Sequence, residues 1–297
     1  MNPKDTRSLA RRILTRVVEL LSQMPGADRI VVRRYQVRSQ KIPCAFDGFT
    51  LVQISDLHSR WFGENQEKLL AKIRQIQPDL IVCSGDWIDL DYIKEEKECV
   101  NTLVKGMLSI APVYGILGNH EARAMHKSAF IHEMRELGVT MLLNETVYFM
   151  KDGESIALTG FVTSYHTPLR ENKTNYDAIC SAYAKALEPE ELYQKASYKM
   201  ALGHRPELID LYQKLGLDLV MAGHAHGGLM KLPGGRRLLA PGQGWFPKFT
   251  HGAYRKGHMA LIVSSGLGGP RIGILPEISL VRLTRPDTSI QDGGKTQ

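Results

Sequence analysis

The sequence predicts an α/β sandwich, and two patterns carry that expectation. From Phe49 onward, short apolar runs end in polar or glycine residues, and most are followed by a helical stretch. Alternation of this kind builds layered α/β domains rather than all-β folds or helix bundles. The second pattern is that aspartates and histidines fall just past the ends of several of those runs. In an open α/β sheet the carboxyl ends of the strands share one edge, and ligands bind in the crevice there.

Taken in order, the elements begin with a helix. Placed at about 100° per residue, Arg7 to Met24 separates into an apolar side with Leu9, Ile13, Val17 and Leu20 and a polar side with Arg11, Arg12, Arg16 and Glu19. Pro25 and Gly26 end it. Arg29 to Val37 alternates imperfectly with period two and reads as a strand or an extended linker. Strand-length apolar runs then predict strands at Thr50–Ile54, Leu80–Cys83, Val113–Leu117, Ile156–Thr159, Lys199–Leu202, Leu219–Met221, His258–Val263 and Ile278–Leu283. Helices are expected between them at Glu67–Gln75, Lys94–Leu108, His126–Leu137, Tyr176–Leu187 and Glu207–Leu215. Pro233–Pro247, rich in glycine, proline and arginine, has no clean period and reads as a long functional loop. The organisation expected is a basic helix and linker over 1–42, one domain over 43–285 and a flexible tail over 286–297.

Composition narrows the function. The chain has 297 residues, 43% hydrophobic and 23% charged, which is globular rather than disordered or fibrous. No apolar run approaches the roughly 18 residues needed to span a bilayer. Cys44, Cys83, Cys99 and Cys180 form no CxxC pair, so neither a disulfide framework nor a thiolate zinc site is indicated. The net charge of +7 sits entirely on residues 1–42, with ten Lys/Arg against three Asp/Glu, and the rest is neutral. A neutral body speaks against nucleic-acid binding, which needs a concentrated basic face. A cytoplasmic location is expected. Residues 7–24 are suited either to lie on the inner face of an anionic membrane or to pack on the domain.

The chemistry lies at the strand ends. Asp56 and His58 follow the first run, Asp86 the second, Asn119 and His120 the third, and His204, His224 and His226 later ones. Two aspartates, one asparagine and four histidines besides His120 make a mixed oxygen and imidazole donor set. Such a set suits manganese, iron, zinc or nickel better than magnesium or calcium. Seven side chains complete two sites if one carboxylate bridges.

The spacing DxH, GDxxD, GNH(D/E), H and GHxH appears as Asp56 with His58, Gly85–Asp89, Gly118–Glu121, His204 and Gly223–His226. In this the chain resembles the calcineurin-like metallophosphoesterases. Lys41-Ile42-Pro43, His204-Arg205-Pro206, Gly227-Gly228 and Pro276-Glu277-Ile278 resemble the bacterial phosphodiesterase-like branch with the GHxHGG signature. The resemblance implies a four-layer αββα metallophosphoesterase sandwich, here with an N-terminal amphipathic helix. It also implies two divalent metal ions, manganese favoured over iron, zinc or nickel. Asp56, His58 and His226 would hold one metal and Asn119, His204 and His224 the other, with Asp86 bridging. His120 would be the non-ligand catalytic acid, oriented by Asp89, and a metal-bridging hydroxide the nucleophile. Leu90 stands where related phosphoprotein phosphatases carry a phosphate-gripping arginine, which favours a phosphodiester or pyrophosphate substrate, lipid-linked forms among them. Arg205, Arg236, Arg237 and Trp245 are candidate substrate contacts, with a structural salt bridge as the other reading of Arg205. The competing functions are a phosphomonoesterase and a non-catalytic scaffold of this fold.

Overall fold

The computed structural model describes residues 29–89, 92–162, 181, 183–185 and 191–286. The helix expected at Arg7–Met24, Leu90, most of Tyr176–Leu187 and all but the first residue of the C-terminal tail lie outside the described residues.

Two six-stranded sheets form the centre. The first contains β1 (Val31–Arg38), β2 (Thr50–Ile54), β3 (Leu80–Cys83), β4 (Val113–Gly115), β5 (Thr140–Met141) and β14 (Glu277–Thr284), in the order β1-β14-β2-β3-β4-β5. The second contains β6 (Glu145–Lys151), β7 (Glu154–Phe161), β8 (Tyr198–Gly203), β9 (Leu219–Ala222), β12 (Gly252–Lys256) and β13 (Met259–Val263), in the order β12-β13-β9-β8-β7-β6. A small hairpin joins β10 (Leu239–Ala240) to β11 (Gly244–Trp245) within the long loop. Within each sheet the strands that lead to the site run parallel: β2, β3 and β4 in one, β8 and β9 in the other.

Burial on both faces explains the unbroken apolar runs. Leu51, Leu80 and Val82 point between the sheets, where they meet Leu158, Met200, Leu202, Met221 and Ile262. Val52, Ile54, Ile81 and Cys83 point the other way, onto helices. Alternation with both faces covered leaves few polar positions in these strands, Gln53 of β2 being one. The covering helices are α1 (Glu67–Ile76), α2 (Lys94–Leu108) and α4 (Lys127–Leu137), with the short α3 (Asn119–Arg123) between the last two. On α2 the buried face is Val100, Leu103, Val104 and Met107, the i, i+3, i+4, i+7 stripe of an amphipathic helix. Beyond the second sheet, α5 (Glu191–Lys195) precedes β8, and α6 (Ile209–Lys214) packs Ile209, Leu211 and Tyr212 against Ala201, Val220 and Leu261. The layers are therefore αββα.

The helix expected at Glu207–Leu215 is divided, with a 3-10 turn at Pro206–Leu208 leading into α6. The stretch read as strand or linker is strand: β1 pairs in parallel with β14 over its whole length, so the sheet takes in residues on the arm side of position 42. Gln53, fully buried, donates from Nε2 to Ser84 Oγ at 2.9 Å and to the Ala222 carbonyl at 2.8 Å. That bridge ties the carboxyl ends of β2, β3 and β9 together across the two sheets.

Candidate metal centre

The loops leaving β2, β3, β4, β8 and β9 converge at one edge and bring together the residues singled out from the sequence. Asp56, His58, Asp86 and His226 form one group whose potential ligand atoms all lie within 4.8 Å of one another. Asp86, His204 and His224 form a second within the same limit, so Asp86 belongs to both. Its Oδ2 lies 3.2 Å from His204 Nε2 and 3.9 Å from His58 Nε2. Asn119 reaches the second group, with Oδ1 3.1 Å from His204 Nε2, and His224 Nδ1 is 3.2 Å from the same nitrogen.

The backbone at these positions is costly. Asp56, His58, Asp86, His224 and His226 all have positive φ, between 46° and 67°. Each such residue costs about 1 to 3 kcal/mol and persists where its surroundings over-determine it. The surroundings do so here. Gly85 and Gly118 let two loops touch, since a Cβ on Gly85 would lie 2.6 Å from Gly118 Cα and 2.8 Å from His204 Nδ1. Asp56 accepts the His224 amide at 3.0 Å through Oδ1, and its own carbonyl accepts the Gly268 amide at 2.6 Å.

Two histidines have their outward nitrogens occupied. His58 Nδ1 pairs with Asp89 Oδ1 at 2.8 Å, and His204 Nδ1 donates to the Ser84 carbonyl at 2.7 Å. Each leaves Nε2 facing the cluster, the arrangement by which outer partners orient metal-ligating imidazoles. Electrostatics agrees. Burial opposes charge on His204, but the Asp86 carboxylate more than reverses it and pushes the imidazole up to about 10. Burial likewise disfavours charge on His58, while its hydrogen bond to Asp89 and the Asp86 carboxylate hold it above the ordinary value. Asp86 is buried, yet the His204 and His58 charges hold it well below the carboxylate range. His226, buried and only partly helped by Asp56, is pushed down to about 4. The cluster thus carries anionic charge where cations fit.

Orphaned atoms test that fit. Among the described residues, His58 Nε2 and His226 Nδ1 are buried without a hydrogen-bond partner, and buried Asp86 Oδ2 has the ion pair with His204 Nε2 in place of one. Unpaired buried polar atoms are rare in native proteins and call for an unseen partner. Two such nitrogens and an under-satisfied carboxylate oxygen, converging in a set of four imidazoles, two carboxylates and an amide oxygen, fit a divalent metal centre.

His120 lies beside the groups. Its ring packs edge-on against His58 with centroids 4.6 Å apart, and its amide donates to Asp86 Oδ1 at 2.9 Å. Burial lowers its imidazole, with Asp86 opposing. The aspartate expected to orient it makes its hydrogen bond elsewhere: Asp89 Oδ1 bonds His58 and stands 3.7 Å from His120 Nδ1.

The candidate substrate contacts stand outside the two groups. Arg205 Nε pairs with Glu207 Oε1 at 2.7 Å, the salt-bridge reading, although its charge is among those that depress His224 after burial and His204. Arg236 lies over the Phe246 ring at 5.0 Å, Trp245 is exposed, and Arg237 NH2 meets His251 Nε2 at 3.1 Å.

Two residues with structural weight carried no role in the sequence reading. Buried Glu121 accepts backbone amides from Asp86 at 3.1 Å, Trp87 at 2.7 Å, Ile88 at 3.0 Å and Gly118 at 2.7 Å, so one carboxylate shapes both the GD and the GN turn. Burial, reinforced by Asp86, pushes it up to about 7. The available signal was its position three residues after Gly118, where a helix N-terminus favours a carboxylate. Arg271, 4% exposed, donates to the carbonyls of Gly266 and Gly268. It braces the glycine loop that backs Asp56 and His226, and a glycine-dense stretch ending in arginine was its sequence trace.

Comparison with known proteins agrees with this geometry. The model of the calcineurin-like phosphoesterase family matches residues 49–228, more than half the chain. Bacillus subtilis metallophosphoesterase YkuE is 26% identical over 261 residues, covering 86% of this chain and 85% of that protein. Escherichia coli phosphodiesterase YaeI is 22% identical over 243 residues, covering 79% and 82%. Chlamydia muridarum UDP-2,3-diacylglucosamine pyrophosphatase LpxG is 23% identical over 232 residues, covering 63% and 66%. With its strand-end ligand set and its layered fold, the chain belongs to the calcineurin-like phosphoesterase family and is a metal-dependent phosphoester hydrolase.

Proposed function

We propose that the protein hydrolyses phosphodiesters or pyrophosphates at a centre of two divalent metal ions that share Asp86. The observation that carries this reading is the membership of Asp86 in both ligand groups. Asp56, His58 and His226 complete one site, and Asn119, His204 and His224 the other. Manganese, iron, zinc and nickel all suit the donor set, with manganese the first choice. When bound, such a pair supplies Lewis acidity to phosphoryl oxygens and brings the acidity of water toward neutral pH.

The chain's own groups account for the rest. Hydrolysis adds water across a P–O bond, and the departing oxygen needs a proton. His120 stands beside both groups without a place in the ligand set, so its imidazole is assigned as general acid. Its Nδ1 is the nitrogen nearer Asp89, which leaves Nε2 to carry the proton. Asp89 fixes the His58 ring and places negative charge near His120. A diester or pyrophosphate substrate is supported by the names of the Escherichia coli and Chlamydia relatives and by Leu90. The amphipathic pattern of residues 7–24 supports a lipid-linked substrate met at a membrane surface.

Hydrolysis of bis-p-nitrophenyl phosphate by the manganese-loaded protein, compared with a phosphopeptide under the same conditions, tests the assignment. Faster diester cleavage is expected. Faster phosphopeptide cleavage contradicts it, and no cleavage of either favours the scaffold.

A further inference from the structure

A cavity of about 310 Å³ opens at the start of β1, with Arg33, Lys231 and Arg237 contributing positive charge and Val31, Ile274 and Leu275 an apolar wall. Two of its walls continue the loops that hold His226. A Cβ on Gly269 would lie 2.7 Å from His226 Nδ1, and Gly273, in the cavity wall, is four residues further on. Four residues span at most about 14 Å. Gly228, two residues after His226, packs against Arg237, where an added Cβ would come within 2.5 Å of Arg237 Cβ. Cavity and metal centre are thus within the length of one small substrate.

The charges in this cavity are poorly compensated. Lys231 and Arg237 are partners in an antiparallel bridge, so their side chains leave the same face side by side. Like charges directly opposite each other destabilise a strand pair. The nearby acid is already engaged. Glu277 Oε2 accepts Arg33 Nε at 2.9 Å and Ser265 Oγ at 2.8 Å, while Oε1 accepts Tyr35 at 3.2 Å and Ser279 at 3.0 Å. Arg237 Nε and NH1 are buried with no hydrogen-bond partner among the described residues. Its NH2 is satisfied by His251, whose imidazole is pushed down to about 4 by burial and then by Arg237, Arg33 and Lys231. His251 therefore accepts from Arg237 as a neutral ring. Two unpaired guanidinium donors, a neighbouring ammonium and an apolar wall define the complement of one ligand class.

We propose that this cavity is an anion-binding subsite for a phosphoryl group carrying an apolar substituent. Arg237 Nε and NH1 and the Lys231 ammonium meet the oxygens, and Val31, Ile274 and Leu275 meet the substituent. The planar guanidinium suits tetrahedral phosphoryl oxygens in a paired contact. The subsite rests on the phosphohydrolase reading only for its occupant being the non-reacting end of a substrate.

Calorimetric titration of the full-length, metal-loaded protein with octyl phosphate, inorganic phosphate and octanol tests it, in wild type, Arg237→Gln and Lys231→Gln. Lys231 is exposed, so its variant remains informative even where Arg237→Gln fails to fold. Octyl phosphate is expected to bind about tenfold more weakly to each variant, the loss of one charge-assisted contact. Inorganic phosphate, which meets the same cations without the apolar wall, is expected to bind the wild type more weakly than octyl phosphate does. Unchanged octyl phosphate binding in the folded variants overturns the subsite. So does inorganic phosphate binding the wild type as tightly as octyl phosphate, which leaves the apolar wall no part, or octanol binding as tightly as octyl phosphate. Failure of the wild type to hydrolyse bis-p-nitrophenyl phosphate removes the phosphohydrolase reading and leaves the octyl phosphate comparison to decide the subsite.

Discussion

The metal centre and the cationic cavity both keep buried polar atoms without partners, but of opposite character. At the centre they are ring nitrogens of His58 and His226 beside the Asp86 carboxylate, which favours positive charge on both rings against their burial. In the cavity they are N–H donors of one arginine, whose charge is disfavoured by burial and then by Arg33, with Tyr254 and Glu277 opposing. Burial alone raises the cost of any unpaired polar group. The sign of the neighbouring charges then decides what would relieve it, a cation in the first case and an anion in the second.

The largest break in that contrast is expected from His120, which packs against His58 at the centre and is proposed as the general acid rather than a ligand. His120→Ala is expected to retain bound metal and to lose about 10² to 10⁴ in turnover, the usual worth of a general acid. Metal analysis beside steady-state kinetics checks it, and loss of both metals from folded protein would make His120 a ligand. Next is Glu121, which holds the centre's turns from behind. Glu121→Gln sets an amide donor against two of the four backbone donors and is expected to cost about 3 kcal/mol, read by urea unfolding. A stability unchanged within error would show that those amides find other acceptors.

The smallest effect belongs to the cavity. His251 is depressed from 6.5 to about 4, so between those values the unfolded chain binds the proton that the folded chain refuses. Its stabilising contribution is present above pH 6.5 and is lost as pH falls toward 4. His251→Gln should therefore lose less stability than wild type between pH 6.5 and 4, measured by chemical denaturation at each pH. Parallel curves would mean that neither burial nor the Arg237, Arg33 and Lys231 charges depress the ring.

The two regions also differ in how far the sequence reveals them. The candidate ligands of the centre follow their strands at fixed short spacings, because a parallel sheet delivers successive carboxyl ends to one edge, so Asp56, Asp86 and His204 could be read as neighbours. Strands buried on both faces, such as β2 and β3, matched their apolar runs end for end. The edge strands β6 and β12 were missed, because half-exposed sequences such as Glu145–Lys151 and Gly252–Lys256 break the run. Asp89 was legible as a site residue, but its hydrogen bond to His58 was not, since spacing fixes the turn and not the rotamer. Of the cavity's residues Arg237 alone was legible, as a candidate substrate contact, and the rest of the cavity was not. Its cations come from segments near 33, 231 and 237 and its wall from segments near 31 and 274, joined by no local pattern.

Metal content of Asp86→Asn, set against His226→Ala, tests the shared ligand most directly. A carboxylate that serves both groups cannot be lost locally, so elemental analysis should find both sites depleted in Asp86→Asn and mainly one in His226→Ala. Two metals per chain retained in folded Asp86→Asn would contradict the bridge.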